Sequence, residues 1–307
     1  MNGLELSYEY YIQYGAPMIS KLYPEFEERI ACGLAGSGSE CFGFDDELSR
    51  DHDFGPGFCM WLTDDDMNSI GESLNQSYEN LPQQFMGYQA KPIMINGEKR
   101  VGAIRISDFY RKFIGLGGVP DSLYRWLAIP EEFLATTTNG RVFSDKLGEF
   151  SRIRNALLDF YPEDVRLKKI ATRAAVMAQA GQYNYPRCLK RSEFVAAQCA
   201  LGEFIKAACS MVYLLNKRYA PFYKWAHHGL KDMSVIPEAY VLLSRICEAE
   251  PKDKTALIEE LCDHVIRVFR SKNLSDVNSD FLLDHSLDII DRISDPEIKS
   301  LHVFAER

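Results

Sequence analysis

Residues 36–54 read GSGSECFGFDDELSRDHDF, and this stretch decides how the first half of the chain is interpreted. Gly38-Ser39 follows small and apolar residues, and eleven residues separate it from Asp51-His52-Asp53. An apolar run ending in Met60-Trp61-Leu62 comes next, which predicts a strand, interrupted at Gly55-Pro56-Gly57 because proline cannot donate to a ladder. The stretch therefore predicts a glycine turn between strand and helix, followed by an acidic loop that leads into a second strand.

The two aspartates have the spacing of a metal site. On an extended chain, Asp51 and Asp53 face the same side because one residue separates them. Mg²⁺ prefers oxygen ligands and binds nucleotide phosphates, and two such ions assist in-line displacement at phosphorus. A glycine at Gly38 lets the backbone approach a triphosphate, and free N–H groups at the helix start near Ser39 stabilise its charge.

Each of these features has a common alternative. An Asp-x-Asp sequence is more often a solvated acidic loop, and Gly-Ser pairs occur in many ordinary turns. A calcium loop of the EF-hand type is excluded because its ligand ladder and closing Glu are not at the required spacing. The conjunction of the glycine turn, the acidic pair and the apolar strand favours a nucleotide site over these alternatives.

These residues also carry a resemblance. The segment from Gly36 to Phe54 resembles the signature of the polymerase-β-like nucleotidyltransferase superfamily. More closely, the whole chain resembles a bacterial family of functionally uncharacterised nucleotidyltransferases. The further stretches that carry this likeness are Asn139–Asp145, Tyr161–Lys168, Gly181–Arg187 and Val212–Trp225.

The resemblance implies a function for the site. Gly38 and Ser39 would bind the triphosphate, and Asp51 and Asp53 would bind Mg²⁺, with two ions expected. The reaction would transfer a nucleoside monophosphate from an NTP, with ATP as the expected donor, onto a hydroxyl of a small molecule, a protein side chain or an RNA end such as that of a tRNA. The layout is also similar to that of antibiotic-modifying nucleotidyltransferases.

One feature departs from the superfamily pattern. A third carboxylate usually lies on a later strand and helps to deprotonate the acceptor, but the matching strand, Val101–Ile106, contains no acid. Asp108 is the nearest candidate, and a helix N-cap is the alternative interpretation of this residue. A catalytically degenerate nucleotide-binding or regulatory module is therefore the rival function.

The second half of the chain changes character. From about residue 122 onward the periodicity is helical and almost no strand signal remains. We therefore expect an α+β protein, with a small mixed-sheet nucleotidyltransferase domain at 1–145 and an all-helical bundle at 146–307, the boundary lying near the Asn139-Gly140 turn.

Further candidates lie in the helical half. Gly181–Arg191 is interpreted as a polar loop that could place Arg187, Lys190 or Arg191 on phosphates and Tyr183 or Tyr185 on a base. Lys224 is another phosphate candidate, within an aromatic patch. Glu203 could be a buried base of raised pKa, or could simply pair with Lys206.

Composition limits the remaining function classes. The net charge of −9 argues against general nucleic-acid binding and makes RNA the least favoured acceptor, unless a local basic groove exists. The eight cysteines form no C-x-x-C pair, so buried reduced thiols are expected rather than zinc or disulfides. Neither a signal peptide nor an apolar run of about 20 residues is recognisable, so a cytoplasmic protein with no membrane contact is expected.

Overall fold

The computed structural model of the protein describes residues 1–51, 54–95 and 97–305, with the backbone alone described at Arg50 and Asp51. The chain divides into two units. The first comprises Met1–Val119 and Phe133–Asp159, and the second comprises Pro120–Glu132 and Phe160–Arg307. The predicted boundary at residue 145 thus lies inside the first unit, and the Asn139-Gly140 turn belongs to that unit.

The described residues contain short strands in one larger sheet and two hairpins. The strands are β1 (Ala31–Leu34), β2 (Cys59–Leu62), β3 (Gln84–Phe85), β4 (Tyr88–Gln89), β5 (Met94–Ile95), β6 (Glu98–Lys99), β7 (Gly102–Arg105) and β8 (Arg141–Ser144). The larger sheet has the order β7-β2-β1-β8, and β3–β4 and β5–β6 form the hairpins. Because β2 pairs with β7 in parallel and with β1 in antiparallel orientation, the sheet is mixed.

Helices make up most of the rest of the chain. They are α1 (Gly3–Tyr10), α2 (Ala16–Leu22), α3 (Ser39–Phe42), α4 (Asp64–Glu79), α5 (Ile106–Ile114), α6 (Leu123–Ala128), α7 (Glu131–Thr138), α8 (Glu149–Leu158), α9 (Glu163–Met177), α10 (Tyr185–Lys190), α11 (Phe194–Leu215), α12 (Tyr223–Ala226), α13 (Ala239–Glu248), α14 (Pro251–Ser271), α15 (Leu282–Asp291) and α16 (Pro296–Ser300). The predicted α+β class is confirmed, with a small mixed sheet in the first unit and a helical second unit.

The sheet is buried on both faces, which explains the continuous apolar run of β2. Phe58, Met60 and Leu62 enter a core that they share with Tyr10 of α1. Trp61 points to the other face, where its ring stacks on Phe150 with the centroids 3.8 Å apart. Burial on both faces removes the alternation of polar and apolar residues that marks a half-exposed strand.

β8 corrects the expectation that strands are nearly absent after residue 122. Arg141–Ser144 pairs with β1 at the edge of the sheet, with an irregular register between Cys32 and Gly33. Its residues are partly exposed, and four residues are too few to establish a period. The strand is therefore specified by its partner β1 rather than by its own sequence.

In the helical unit, α9 packs against α11 and α15. Buried charges on α9 are satisfied within the unit: Lys168 Nζ donates to the carbonyl of Leu301 at 3.0 Å, and Arg173 Nη2 donates to Glu131 Oε1 at 2.8 Å. Ser210 Oγ also donates to Glu131 Oε1 at 2.7 Å. Buried charges of this kind are stable because each is paired or hydrogen-bonded.

α11 departs from the expectation that no segment is long and apolar enough to cross a membrane. Its 22 residues include an 18-residue window of mean hydropathy 1.3. Half of that window is buried inside the protein.

Candidate functional site

The predicted glycine turn lies between β1 and α3. Gly36 has φ +113° and Gly38 has φ +130°, which are values that side chains with a Cβ rarely adopt. A Cβ at Gly38 would also collide with the carboxylate of Glu40. Gly38 is the residue before α3, and Ser39 is the first residue of that helix. The turn thus needs glycine both for its dihedral angles and for the close approach of Glu40.

Asn139, in the second sequence range of the first unit, holds this turn. Its Nδ2 donates to the carbonyl of Gly36 at 2.8 Å, and its Oδ1 accepts from the amide of Gly36 at 2.9 Å. The next amide, that of Gly140, donates to the carbonyl of Cys41 at 2.7 Å. Arg154 in turn donates to the carbonyl of Asn139 at 3.0 Å. Both ends of the turn are therefore fixed by the segment that precedes β8.

A buried ion pair supports the same turn. Lys91 Nζ lies 2.8 Å from Glu40 Oε1, and the two side chains are only 5% and 9% exposed. The backbone amide of Lys91 donates to the carbonyl of Pro56 at 2.8 Å. Arg100 Nη2 adds a donor to the carbonyl of Ser37 at 2.6 Å. Lys91 therefore connects the glycine turn to the segment that leads into β2.

In the sequence, the two predicted metal ligands, Asp51 and Asp53, come shortly before Pro56. Asp53 and the side chain of Asp51 lie outside the described residues; the backbone of Asp51 ends a 3₁₀ turn, Leu48–Asp51. β1 and β2 are antiparallel, with Gly33 opposite Cys59. The turn that follows β1 and the segment that precedes β2 are therefore attached to the same end of the sheet.

The thiols around the turn are neutral. Burial raises the pKa of Cys41 well above its ordinary value, and it raises the pKa of Cys59 to about 12. Burial also raises the pKa of Cys32 on β1. Because the thiolate is the reactive form of cysteine, none of these residues is a nucleophile at neutral pH. Among the described residues, no group of three or more His, Cys, Asp or Glu side chains could hold a metal ion.

Asp108 is not an N-cap. Arg105 has that position, and Asp108 lies in the first turn of α5. Its carboxylate accepts from Arg111 Nη1 at 2.7 Å, and Arg105 Nε lies 3.8 Å away. The side chain is 55% exposed. In this geometry Asp108 pairs with arginines at the surface, and the predicted strand, observed as β7, contains no acid.

The expectation of a loop at 181–191 is wrong. Residues Ala178–Asn184 continue α9 as a π-helix, and α10 follows directly. Gly181 lets the π-helix pack closely on α11, because a Cβ at this position would overlap the ring of Phe204. Tyr185 is buried and donates to the carbonyl of Pro251 at 3.3 Å, so it is a packing residue rather than a surface for a base. Tyr183 is exposed, and the guanidinium of Arg187 lies 4.6 Å from its ring centroid.

The remaining candidates of the helical unit are spread along α11. Arg187 and Lys190 are exposed and precede α11, whereas Lys224 follows it, in α12. α12 is tied to α11 by the hydroxyl of Tyr213, which donates to the carbonyl of Ala226 at 3.1 Å. At 1.5 Å per residue, the length of α11 between these ends is roughly 30 Å. Lys224 therefore lies nearer the C-terminal end of α11, whereas Lys190 lies just before its N-terminal end.

Glu203 corrects another expectation. The hypothesis of a base with a raised pKa required a buried carboxylate, but Glu203 lies on the exposed side of α11. Lys206 is also exposed, and the described contacts include no ion pair between the two residues. Neither the buried base nor the alternative pair is present in this structure.

The residues that hold the glycine turn were not found from the sequence as site residues. Their contacts join residues up to 103 positions apart in the sequence, which no local periodicity reports. These residues are Glu40, Lys91, Arg100 and Asn139. The available signal was the presence of Asn139 in a stretch that carries the family resemblance.

The comparisons with known proteins cover different parts of the chain. A family model described as a domain of unknown function (DUF4037) matches residues 126–226. Among solved structures, the chain is similar to a nucleotidyltransferase-like protein from Exiguobacterium sibiricum 255-15, with 12% identity and a TM-score of 0.38, over 92% of this chain and 81% of that chain. No curated protein matches at a significant level. The segment that matches the uncharacterised family therefore includes Arg187, Glu203 and Lys224, and it excludes the glycine turn and the aspartates.

Proposed function

We propose that the chain is a metal-dependent nucleotidyltransferase that moves a nucleoside monophosphate from an NTP, with ATP as the expected donor, onto a hydroxyl acceptor. The observation that carries this proposal is the Gly36–Ser39 turn. Its two glycines with positive φ, Gly36 and Gly38, are fixed by Asn139 and by the Glu40–Lys91 pair, at the sheet end where β2 begins, and Asp51 and Asp53 precede β2 in the sequence.

The residue types fit this chemistry. A glycine turn lets a phosphate approach backbone amides without a clash, and carboxylate oxygens are the ligands that Mg²⁺ prefers. Asp51 and Asp53 would hold the metal, which when bound neutralises phosphate charge and polarises phosphoryl oxygens. The role of the chain's own residues is to orient the triphosphate on the amides near Gly38 and Ser39.

One observation favours a second function. Asp108, the candidate third carboxylate, is half exposed and paired with Arg111, and β7 offers no acid in its place. A chain without this base would bind NTP and turn over slowly or not at all. The second candidate is therefore a nucleotide-binding regulatory module built on the same turn.

Calorimetric titration of the wild type with ATP, GTP, CTP and UTP, each with and without Mg²⁺, tests the shared site. We expect Mg²⁺-dependent binding of one NTP, and its loss in Asp51→Asn/Asp53→Asn. The matched control is Asp65→Asn/Asp121→Asn, which removes two charges from exposed aspartates. Binding that is absent in the wild type, or unchanged in the first double variant, contradicts the proposal.

Release of pyrophosphate separates the two functions. With the preferred NTP and a panel of hydroxyl acceptors, a transferase releases pyrophosphate in proportion to the modified acceptor. A chain that binds NTP with Mg²⁺ and releases none with any acceptor is the regulatory module.

A further inference from the structure

The charge of the chain is unevenly distributed. Residues 165–192 contain seven Lys or Arg and no Asp or Glu, in a chain whose net charge is −9. Four of these cations are internal to the helical unit or paired there: Arg166, Lys168, Lys169 and Arg173. The other three, Arg187, Lys190 and Arg191, are exposed. The acid-free segment thus places its unburied positive charge on and just after α10.

These three cations lie on one side of the helix. Positions three and four residues apart are neighbours on a helical surface, so Arg187, Lys190 and Arg191 form one cluster. Within the part of the chain that the structure describes, none of them has an ion-pair partner, whereas other exposed arginines such as Arg125 and Arg152 do. Their charge is therefore available to an external anion.

Aromatic and apolar side chains flank the cluster. One turn before Arg187, the ring of Tyr183 is 48% exposed and carries the guanidinium on one face. After the cluster, Phe194 at the start of α11 is 63% exposed. Tyr183, Arg187, Lys190, Arg191 and Phe194 are named the basic-aromatic row below. It is about 10 Å long from Tyr183 to Lys190, at 1.5 Å per residue.

This composition fits one class of partner best. Single-stranded nucleic acid is bound by cations that follow the phosphates and by aromatic rings on which bases stack, without a need for sequence-specific contacts. An anionic membrane surface would use the cations, but the exposed apolar residues beside the three-cation cluster are few, namely Tyr183, Phe194 and Val195, and give little apolar area to insert. In the sequence, Tyr183 and Phe194 stand on either side of the three cations, as bases alternate with phosphates, and the exposed Glu193 is the one acidic residue among them.

We propose that the basic-aromatic row binds a single-stranded RNA segment. The binding stands independently of nucleotide transfer. Its meaning as an acceptor site rests on the proposed function: the terminal hydroxyl oxygen of the RNA would bond to the α-phosphorus of the NTP, the bond from that phosphorus to the bridging oxygen would break, pyrophosphate would leave with the electron pair, and the hydroxyl proton would pass to solvent.

Fluorescence anisotropy with a labelled single-stranded RNA of about 12 nucleotides, without NTP or Mg²⁺, tests the binding step. Neutralising three phosphates on a single strand gives a slope of log K against log salt of about −2. We expect this slope in the wild type, and its loss in Arg187→Ala/Lys190→Ala/Arg191→Ala. Tyr183→Ala is expected to weaken binding about tenfold with the slope unchanged, because it removes stacking rather than charge.

The control variant, Arg267→Ala/Arg270→Ala/Lys272→Ala, also removes two arginines and one lysine, but from a different exposed site. It has the same net charge as the first triple variant and is expected to bind RNA like the wild type. Equal weakening by both triple variants would reduce the effect to net charge and overturn the proposal. A wild type that binds no RNA, or that binds phosphatidylserine vesicles through these residues instead, would also overturn it.

The nucleotide and RNA experiments fail separately. RNA binding by the wild type, together with absent NTP binding by the wild type, would reject the transferase and keep the RNA site. NTP binding by the wild type without RNA binding would keep the nucleotide site and reject the RNA site.

Discussion

Asn139 and Gly36 form a reciprocal pair of hydrogen bonds, 2.8 and 2.9 Å long, across 103 residues of sequence. One amide side chain therefore satisfies both the N–H and the C=O of a buried glycine. Because Gly36 opens the proposed phosphate-binding turn, this contact links the stability of the first unit to the shape of its site.

Asn139→Ala tests this link. The change leaves both backbone groups of Gly36 without their partner, and a buried polar group without a partner costs about 1–3 kcal/mol. We expect the free energy of unfolding in urea to fall by that amount. Asn184→Ala, which alters an exposed asparagine, should change it by less than about 0.5 kcal/mol. Equal losses of unfolding free energy in the two variants would show that the Asn139–Gly36 hydrogen bonds make no specific contribution to stability.

The Glu40–Lys91 pair predicts strong coupling between its members. Glu40→Gln leaves an ammonium in a site where both side chains are nearly inaccessible, and breaking a buried pair costs about 3–5 kcal/mol. The double variant Glu40→Gln/Lys91→Met removes that buried charge and should cost less than the sum of the single variants. A double-mutant cycle in urea measures the difference. Simple additivity would mean that the two residues act independently.

Two glycines should respond oppositely to alanine. Gly38→Ala introduces a Cβ at φ +130° and against Glu40, so the first unit should lose stability. Gly202→Ala on α11 meets no neighbour within 4 Å and removes a helical glycine, so it should gain about 0.5–1 kcal/mol. Thermal unfolding followed by circular dichroism measures both. A neutral Gly38→Ala would argue that the turn tolerates another backbone conformation.

Two glutamates of the helical unit predict opposite pH dependence. The hydrogen bond from Arg166 lowers the pKa of Glu163, so its contribution to stability is present above the ordinary glutamate pKa and is lost as pH falls through the lowered value. Burial raises the pKa of Glu259, so its contribution is present at low pH and is lost as pH rises through the raised value.

The glutamine variants measure these contributions. Relative to the wild type, Glu163→Gln should be less stable at pH 7, with the difference vanishing in acid. Glu259→Gln should gain stability relative to the wild type as pH rises from 4 to 7, because glutamine has no charge to bury. Urea titrations from pH 7 down to below the lowered pKa of Glu163 give both curves. Curves of the same sign for the two variants would contradict the assigned causes.

Local sequence was sufficient for the elements with a strong local signal. The bounds of α4, Asp64–Glu79, follow from local signals, because Thr63 caps the helix and its apolar residues recur at helical spacing. The predicted strand at 101–106 coincides with β7. β8 was not found, because an edge strand of four residues depends on β1 for its hydrogen bonds.

For the site, the sequence could identify types of residue but not their surroundings. Gly38 was predicted correctly to precede a helix, since glycine after a strand is a local signal. Whether Glu203 is buried was left open by the sequence, because periodicity gives a helix but not which part of it is covered by neighbours, and the structure leaves Glu203 exposed. The segment 181–191, expected to be a loop, is helical, and Gly181 lets it pack closely on Phe204 of α11, a contact that no local pattern reports.

The sequence by itself determined the α+β class, the glycine turn and the uneven distribution of charge, since composition, dihedral preference and spacing are properties of neighbouring residues. Only the tertiary structure decided that Asn139, Glu40 and Lys91 hold the turn, and that Arg187, Lys190 and Arg191 are left exposed without an acidic partner among the described residues. The physical reason is that burial and pairing depend on which distant segments meet, and the free energy of that packing is shared by the whole unit.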